Sequence, residues 1–349
     1  MGAIGSYHIL ECTVRVNVEG SVRVDLLGGT IDLVPINQIL RDTVTLNIAT
    51  SLKAKVEVEE VDFDGIIIES KDYNSVTKFN SSDFTIENFD GDHFGALSFV
   101  CQILAHFKLT KNAKVTLESG SPPGAGLGGS SSMGVTLYKA LAKYLDQDFD
   151  RLKAINVVQN IESKILNMGP CGYQDYYPAL FGGVLALVPT NSKIRVEQLF
   201  SEELKEFLEE RITLIYSGAL RLSAINNWEV YKDFFDKKNG VREGLTEIAR
   251  LSREAYNAIG ESRFEDLLEL ISKEGKVRES LFENIVTKEI RSFFAELNSQ
   301  NLADGMKMCG AGGGGCFIIV HKAGVHDKIK EEALKASMKV LDFKLSNVI

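Results

Sequence analysis

Apolar and polar residues alternate through the first part of the chain. TVRVNVEGSVRVDLL (13–27), TVTLNIA (43–49) and LKAKVEVEEV (52–61) each turn one apolar face inward with a period of two, which predicts strands. GGTID (28–32) interrupts the first run, and Pro35 closes the loop. FDGIIIES reads as a further strand behind an Asp-Gly turn, and KVTLES (114–119) as another. Between them, residues 92–107 carry apolar side chains at helical spacing. Met133, Leu137, Leu141, Tyr144 and Leu145 fall on one helical face, and the serines just before them are suited to an N-cap. Residues 151–167 predict a second helix, GYQDYYPALFGG (172–183) a loop or short turn, and GVLALVP a strand.

Composition shifts near Ser192, which places a domain boundary there: residues 1–191 and 192–349. The second half predicts a strand at ITLIYSG and helices around 241–259, 263–277 and 287–299. The glycine-rich CGAGGGG (309–315), the strand CFIIV and a helix at 327–338 follow.

At 349 residues the chain has the mass for two domains. Its formal net charge of -9, without a long Lys/Arg run, argues against a nucleic-acid or anionic-membrane partner. No apolar run approaches bilayer length and MGAIGSYHILE lacks a signal-peptide pattern, so the expected location is the cytoplasm. Five scattered cysteines without a C-x-x-C pair predict reduced thiols, and five histidines form no zinc-ligand set.

The segment with the most chemistry is SPPGAGLGGSSS (121–132). Gly124, Gly126 and Gly129 satisfy the G-x-G-x-x-G spacing of a dinucleotide loop, but so do Gly310, Gly312 and Gly315. Pro122 and Pro123 separate the loop from the strand before it, and no acidic strand end lies twenty residues on, so the Rossmann context is missing. No Gly-Lys-Ser/Thr follows, which removes the Walker A reading. What remains is a loop whose backbone N–H groups can approach an anion beside a helix N-terminus. A glycine-rich turn with a serine cap explains these residues about as well.

PPGAGLGGSSS resembles the second motif of the GHMP kinases, written roughly P-x-x-x-G-L-G-S-S-A. RVDLLGGTID (23–32) is similar to their first motif and CGAGGGGCFIIV (309–320) to their third, in the same order. The resemblance implies an α+β, two-domain GHMP kinase fold: an N-terminal domain like the second domain of ribosomal protein S5, and a ferredoxin-like C-terminal domain. It implies ATP at Pro123, Gly124, Gly126, Leu127, Gly128, Gly129, Ser130, Ser131 and Ser132, and catalysis by Asp175 with Arg23. Mg²⁺ would be held by Glu162 and Ser130, because Gly129 stands where the family usually has a metal-binding hydroxyl. Asp32, Gly29, Thr30, Tyr177, Arg221, Gly312 and Gly313 would contact the acceptor.

R-V-D-L-x-G-G-x-x-D together with G-Y-Q-D-Y-Y and F-G-G looks more like the sugar-1-kinase branch, that of heptose 7-phosphate kinase and L-fucose kinase, than like galactokinases. The expected activity is phosphorylation of a sugar or sugar phosphate at the anomeric hydroxyl, with a homodimer as the expected assembly. A mevalonate-type alcohol kinase and a non-catalytic ligand sensor are the alternatives.

Overall fold

A computed structural model describes residues 14–166, 170–191, 193–219, 226–282 and 284–349. The elements in chain order are β1 (Arg15–Leu27), α1 (Ile36–Ile39), β2 (Thr45–Glu60), β3 (Gly65–Ser70), β4 (Ser75–Asn80), α2 (Ile86–Asp90), α3 (Ser98–His106), β5 (Ala113–Glu118), α4 (Gly129–Tyr144), α5 (Arg151–Leu166), α6 (Tyr177–Phe181), β6 (Val184–Pro189) and β7 (Ile194–Gln198). There follow α7 (Glu202–Arg211), β8 (Ile212–Tyr216), α8 (Asn227–Asp236), α9 (Val241–Gly260), α10 (Phe264–Leu281), α11 (Lys288–Ser299), β9 (Gly305–Met308), β10 (Cys316–Val320), α12 (His326–Lys335) and β11 (Lys339–Val340).

The fold is α+β. One sheet has seven strands in the order β4-β3-β5-β2-β6-β7, with β1 on the other side of β2; the second has four, β11-β8-β10-β9. The long antiparallel pair β1–β2 carries the first motif. Its burial changes along β1: Val16 and Val18 are buried between exposed neighbours, whereas every residue from Gly20 to Leu27 is buried. The strand therefore begins as a half-solvated edge and ends between layers. Register shifts fall between Ser21 and Arg23 and between Asp25 and Leu27. Bulges of this kind re-aim side chains, and here they bracket the charged pair Arg23 and Asp25.

Two large cores follow from the periodicities. One packs α3, α4, α5 and α6 on the helix-covered face of the first sheet, through Val56, Val58, Val115, Leu137, Leu141 and Val158. The other joins both sheets, since Val22, Val24 and Leu26 of β1 share a cluster with Leu251 and Leu267 of α9 and α10 and Ile318 of β10. β10 explains its own sequence. Cys316, Ile318 and Val320 face this shared core, and Phe317 and Ile319 face a cluster with α11 and α12. A strand buried on both faces reads as an unbroken apolar run.

Several expectations need correcting. The helix expected over 92–107 begins only at Ser98, because a turn over residues 91–94 and a 3-10 turn at Gly95–Leu97 precede it. GYQDYYPALFGG contains a short helix, α6, opened by Pro178 at its start. The serines are not the cap of α4: Gly128, with φ +69°, is its N-cap and Ser130–Ser132 lie in the first turn. β7 lies beyond residue 191 yet pairs with β6, and Leu345 and Val348 bridge back to Thr50 and Gly182 of the N-terminal half. α7 and α8 were not visible in the periodicity. Among the described residues no helix is long and apolar enough to cross a membrane.

Gly134 lets α4 sit close to α3 and α5, since a Cβ there would come within 2.5 Å of Phe99 and 2.7 Å of Val158. Gly134→Leu should destabilise the chain by about 1–3 kcal/mol through overpacking. The check is the denaturant midpoint, and an unchanged midpoint contradicts this packing.

Candidate active site

The phosphate-loop candidate hangs between β5 and α4. Gly124, Gly126 and Gly128 all take positive φ (69°, 81° and 69°), a conformation that glycine adopts without Cβ strain. Ala125 and Leu127 are buried anchors on the shared core, so the loop is fixed by two apolar pegs with glycines between them. The third motif supports it from behind. Cys316 N–H donates to the Ala125 carbonyl at 2.6 Å, and a Cβ on Gly315 would lie 2.6 Å from the Gly124 carbonyl. Tyr216 Oη donates to the Pro123 carbonyl at 3.3 Å.

Arg23 and Asp175 meet beside this loop. Arg23 Nε donates to Asp175 Oδ1 at 2.8 Å, and Nη2 lies 2.6 Å from the same oxygen. Nη1 donates to the Gly126 carbonyl at 2.6 Å, and the Arg23 backbone N–H donates to Leu127 O at 3.0 Å. One arginine thus ties β1, the phosphate loop and the Asp175 turn together. Its side chain is 3% exposed and that of Asp175 29%. Burial pulls the Arg23 pKa down, but the Asp175 and Asp25 carboxylates hold it above its ordinary value. Among the described residues nothing donates a hydrogen bond to Asp175 Oδ2. Gly128 presses on Asp175, with a Cβ there only 3.0 Å from its Cβ.

A second group surrounds Glu162 of α5, which is buried. Its Oε2 accepts from Ser131 Oγ and from Tyr176 Oη, each at 2.7 Å. Burial raises its pKa, opposed by hydrogen bonds from Tyr176, Ser131 and Ser130. Ser130 is exposed. Ser132 is a correction: its Oγ donates to the Ser21 carbonyl at 2.9 Å and is fully buried, so it fastens α4 to β1 instead of facing a phosphate.

A third group lies around Asp32, at the end of the first motif. Gln174 N–H donates to Asp32 Oδ2 at 3.1 Å, and a Cβ on Gly172 would collide with that carboxylate. Burial, reinforced by Asp175, lifts Asp32 to about 7. Gly29 is likewise closed off by Asp25, and Thr30 is held at φ +80°. Such a conformation is rare for a β-branched residue and is found where a site over-determines the backbone.

The expected acceptor contacts separate here. Tyr177 belongs to the core: 5% exposed, stacked on Phe181 at 5.9 Å between centroids and edge-on to Tyr173 at 6.4 Å. Gly312 and Gly313 are seated on Ile285, whose carbonyl accepts from Gly313 N–H at 2.9 Å. Arg221 lies outside the described residues. Sequence reading missed Tyr176, Gln174 and a buried set formed by Asp25, Glu274, Arg278 and Lys307. Two of these could have been suspected: Glu274 and Arg278 stand four apart on the apolar face of α10.

Residues 94–183 match the GHMP kinases N terminal domain. The bifunctional fucokinase/GDP-fucose pyrophosphorylase of Arabidopsis thaliana is 24% identical over 327 residues, covering 88% of this chain but only 30% of that protein. The D-glycero-alpha-D-manno-heptose 7-phosphate kinase of Campylobacter jejuni is 25% identical over 332 residues, 90% of this chain and 92% of that one. The crystal structure of Methanococcus jannaschii mevalonate kinase superposes with a TM-score of 0.76 at 22% identity, covering 95% of this chain and 99% of the other.

The raised Asp32 pKa carries a sign that can be checked. The folded state holds this proton up to about pH 7, whereas an unfolded Asp releases it near 3.8. Stability from this group is full below the unfolded value and lost as pH rises through the folded one. Wild type should therefore lose melting temperature relative to Asp32→Asn between pH 5 and 8, and parallel curves would contradict the assignment. With three ordered motifs converging on one loop, a match to the N-terminal domain over residues 94–183 and a superposable fold, the chain resembles the GHMP kinases.

Proposed function

We propose that the chain is an ATP-dependent kinase transferring the γ-phosphoryl group to a hydroxyl of a sugar or sugar phosphate, at the anomeric position. The observation that carries this reading is Asp175: one carboxylate oxygen is fixed by Arg23 and, among the described residues, nothing donates to the other, beside a loop whose glycines take positive φ.

Phosphoryl transfer requires positioning and charge stabilisation more than covalent chemistry. In this reading the N–H groups of Gly124 and of residues 126–130, at the α4 N-terminus, receive the ATP phosphates. Asp175 Oδ2 orients the acceptor hydroxyl and takes its proton. Arg23 holds Asp175 in place, and its permanent charge faces the transferred group as negative charge develops. Among the described residues no three His, Cys, Asp or Glu side chains converge on a metal site. The Glu162 carboxylate with the Ser130 and Ser131 hydroxyls fits Mg²⁺, which commonly takes one or two carboxylates and completes its shell with phosphates and water. When bound, the ion would neutralise charge on the phosphates; Glu162 and the two serines would hold it.

Asp32 supports a polyhydroxyl acceptor. A buried carboxyl close to Asp175 suits paired hydroxyls, as donor or acceptor according to its protonation, and opposes a carboxylate such as that of mevalonate. The names of the sugar-kinase relatives agree, at modest identity. The ATP-binding role is assigned to the N-terminal half and closure over the acceptor to the C-terminal half.

The test is mass spectrometry of acceptor mixtures with Mg·ATP: free hexoses, hexose and heptose phosphates, and mevalonate. A sugar or sugar phosphate should gain one phosphate with wild type and none with Asp175→Asn. Phosphorylated mevalonate would overturn the acceptor class. Nucleotide binding without any product would replace the kinase with a ligand sensor.

A further inference from the structure

Behind the Arg23–Asp175 pair lies a set of charges for which the chemistry above has no use. Lys307 of β9 is buried and its ammonium fully shielded. It lies 2.8 Å from Asp25 Oδ2 and 3.4 Å from Glu274 Oε1, and it donates to the Asp25 carbonyl at 3.1 Å. The Asp25 contact is an ion pair without hydrogen-bond geometry, since neither Asp25 carboxylate oxygen accepts a hydrogen bond in the structure. Arg278 Nη1 lies 3.6 Å from Asp25 Oδ2; the same guanidinium donates to Met308 O at 3.0 Å and Gly310 O at 2.5 Å. Glu274 Oε2 accepts from Gly28 N–H at 2.7 Å. Two acids and two bases, all fully buried, thus reach from the first motif to the third.

Their placement matters because Asp25 and Arg23 stand two apart on β1. Arg23 feels two carboxylates, that of Asp175 and that of Asp25. A buried carboxylate left without a counter-ion is strongly unfavourable, so an unpaired Asp25 would draw the nearest flexible cation. We propose that Lys307 and Arg278 are positioning residues: by occupying Asp25 they leave Arg23 to Asp175 and hold the acceptor's base in place from the C-terminal half. Glu274 pins the Gly28–Gly29 turn to α10 by accepting from Gly28 N–H. The same side chains thereby couple the third glycine loop, through Met308 and Gly310, to the reactive pair. The role in turnover rests on reading Asp175 as the acceptor's base; the placement of Arg23 does not.

Two readouts on the full chain keep these apart. The first needs no substrate. The Arg23 Nε–H resonance, assigned by its loss in Arg23→Lys, should show slow exchange in wild type and shift or broaden in Lys307→Met. It should return in Asp25→Asn/Lys307→Met, where the competing carboxylate is gone. The second is turnover. Lys307→Met should lower kcat at least tenfold with the ATP KM within threefold, and the double variant should recover kcat to within threefold of wild type. A role confined to stability predicts that both variants lose stability or yield but keep the wild-type kcat per folded enzyme. If Lys307→Met does not fold, Arg278→Gln, which leaves the Lys307–Asp25 pair intact, should show the same direction with a smaller effect.

An Arg23 resonance unmoved by Lys307→Met, or a folded double variant without recovery, overturns the proposal. The expected resonances in a protein that phosphorylates no acceptor would overturn the kinase reading and sustain the positioning role.

Discussion

The reactive geometry depends on one ion pair with unequal surroundings. Arg23 is shut into the protein, and Asp175 keeps nearly a third of its side chain in solvent. The dry partner gives position, and the wet partner keeps one side of its carboxylate toward solvent. Removing the arginine would leave a carboxylate on a loop; removing the aspartate would leave a cation buried against a backbone carbonyl. The surrounding elements are arranged around that asymmetry: two irregularities in β1 that aim Arg23, and a helix cap at Gly128 whose missing side chain lets Asp175 approach.

The two glycine-rich loops have different tasks although their sequences look alike. The first sets half-buried or exposed glycines around Ala125 and Leu127, its buried anchors. The second is consumed by internal contacts: Gly313 on Ile285, Gly315 and Cys316 on the back of the first loop. Its glycines permit backbone to lie on backbone. A regular expression cannot separate these uses, because both satisfy the same spacing; neighbouring strands and caps do.

What could be read from sequence follows the same line. Strands with clear alternation, the buried run CFIIV and the three ordered motifs are local patterns, and each announces itself in a short window. Arg23, Asp32 and Asp175 could be proposed from sequence because short motifs carry them, and the structure sets Arg23 against Asp175. Ser132 and Tyr177 were misread, since position in a motif does not reveal which way a helix turns its side chains. α8 was missed although Tyr231 donates to Val34 O at 2.8 Å and Val230 and Phe234 pack under Ile31 and Leu33. Its apolar residues are few and their partners are distant in sequence. The Asp25–Lys307–Glu274–Arg278 set was invisible for the same reason. Asp25 and Lys307 are 282 residues apart, and a lone lysine in a short strand reads as a solvated residue until its strand is buried.

The most direct measurement is single-turnover phosphoryl transfer by rapid quench, with ATP and the identified acceptor saturating, in wild type, Asp175→Asn and Arg23→Lys. The account predicts that Asp175→Asn binds ATP normally but transfers phosphate at least a thousandfold more slowly. Arg23→Lys, which loses the forked contact, should lie in between. Transfer by Asp175→Asn within tenfold of wild type would contradict the assignment of Asp175 and, with it, the meaning given to the ion pair.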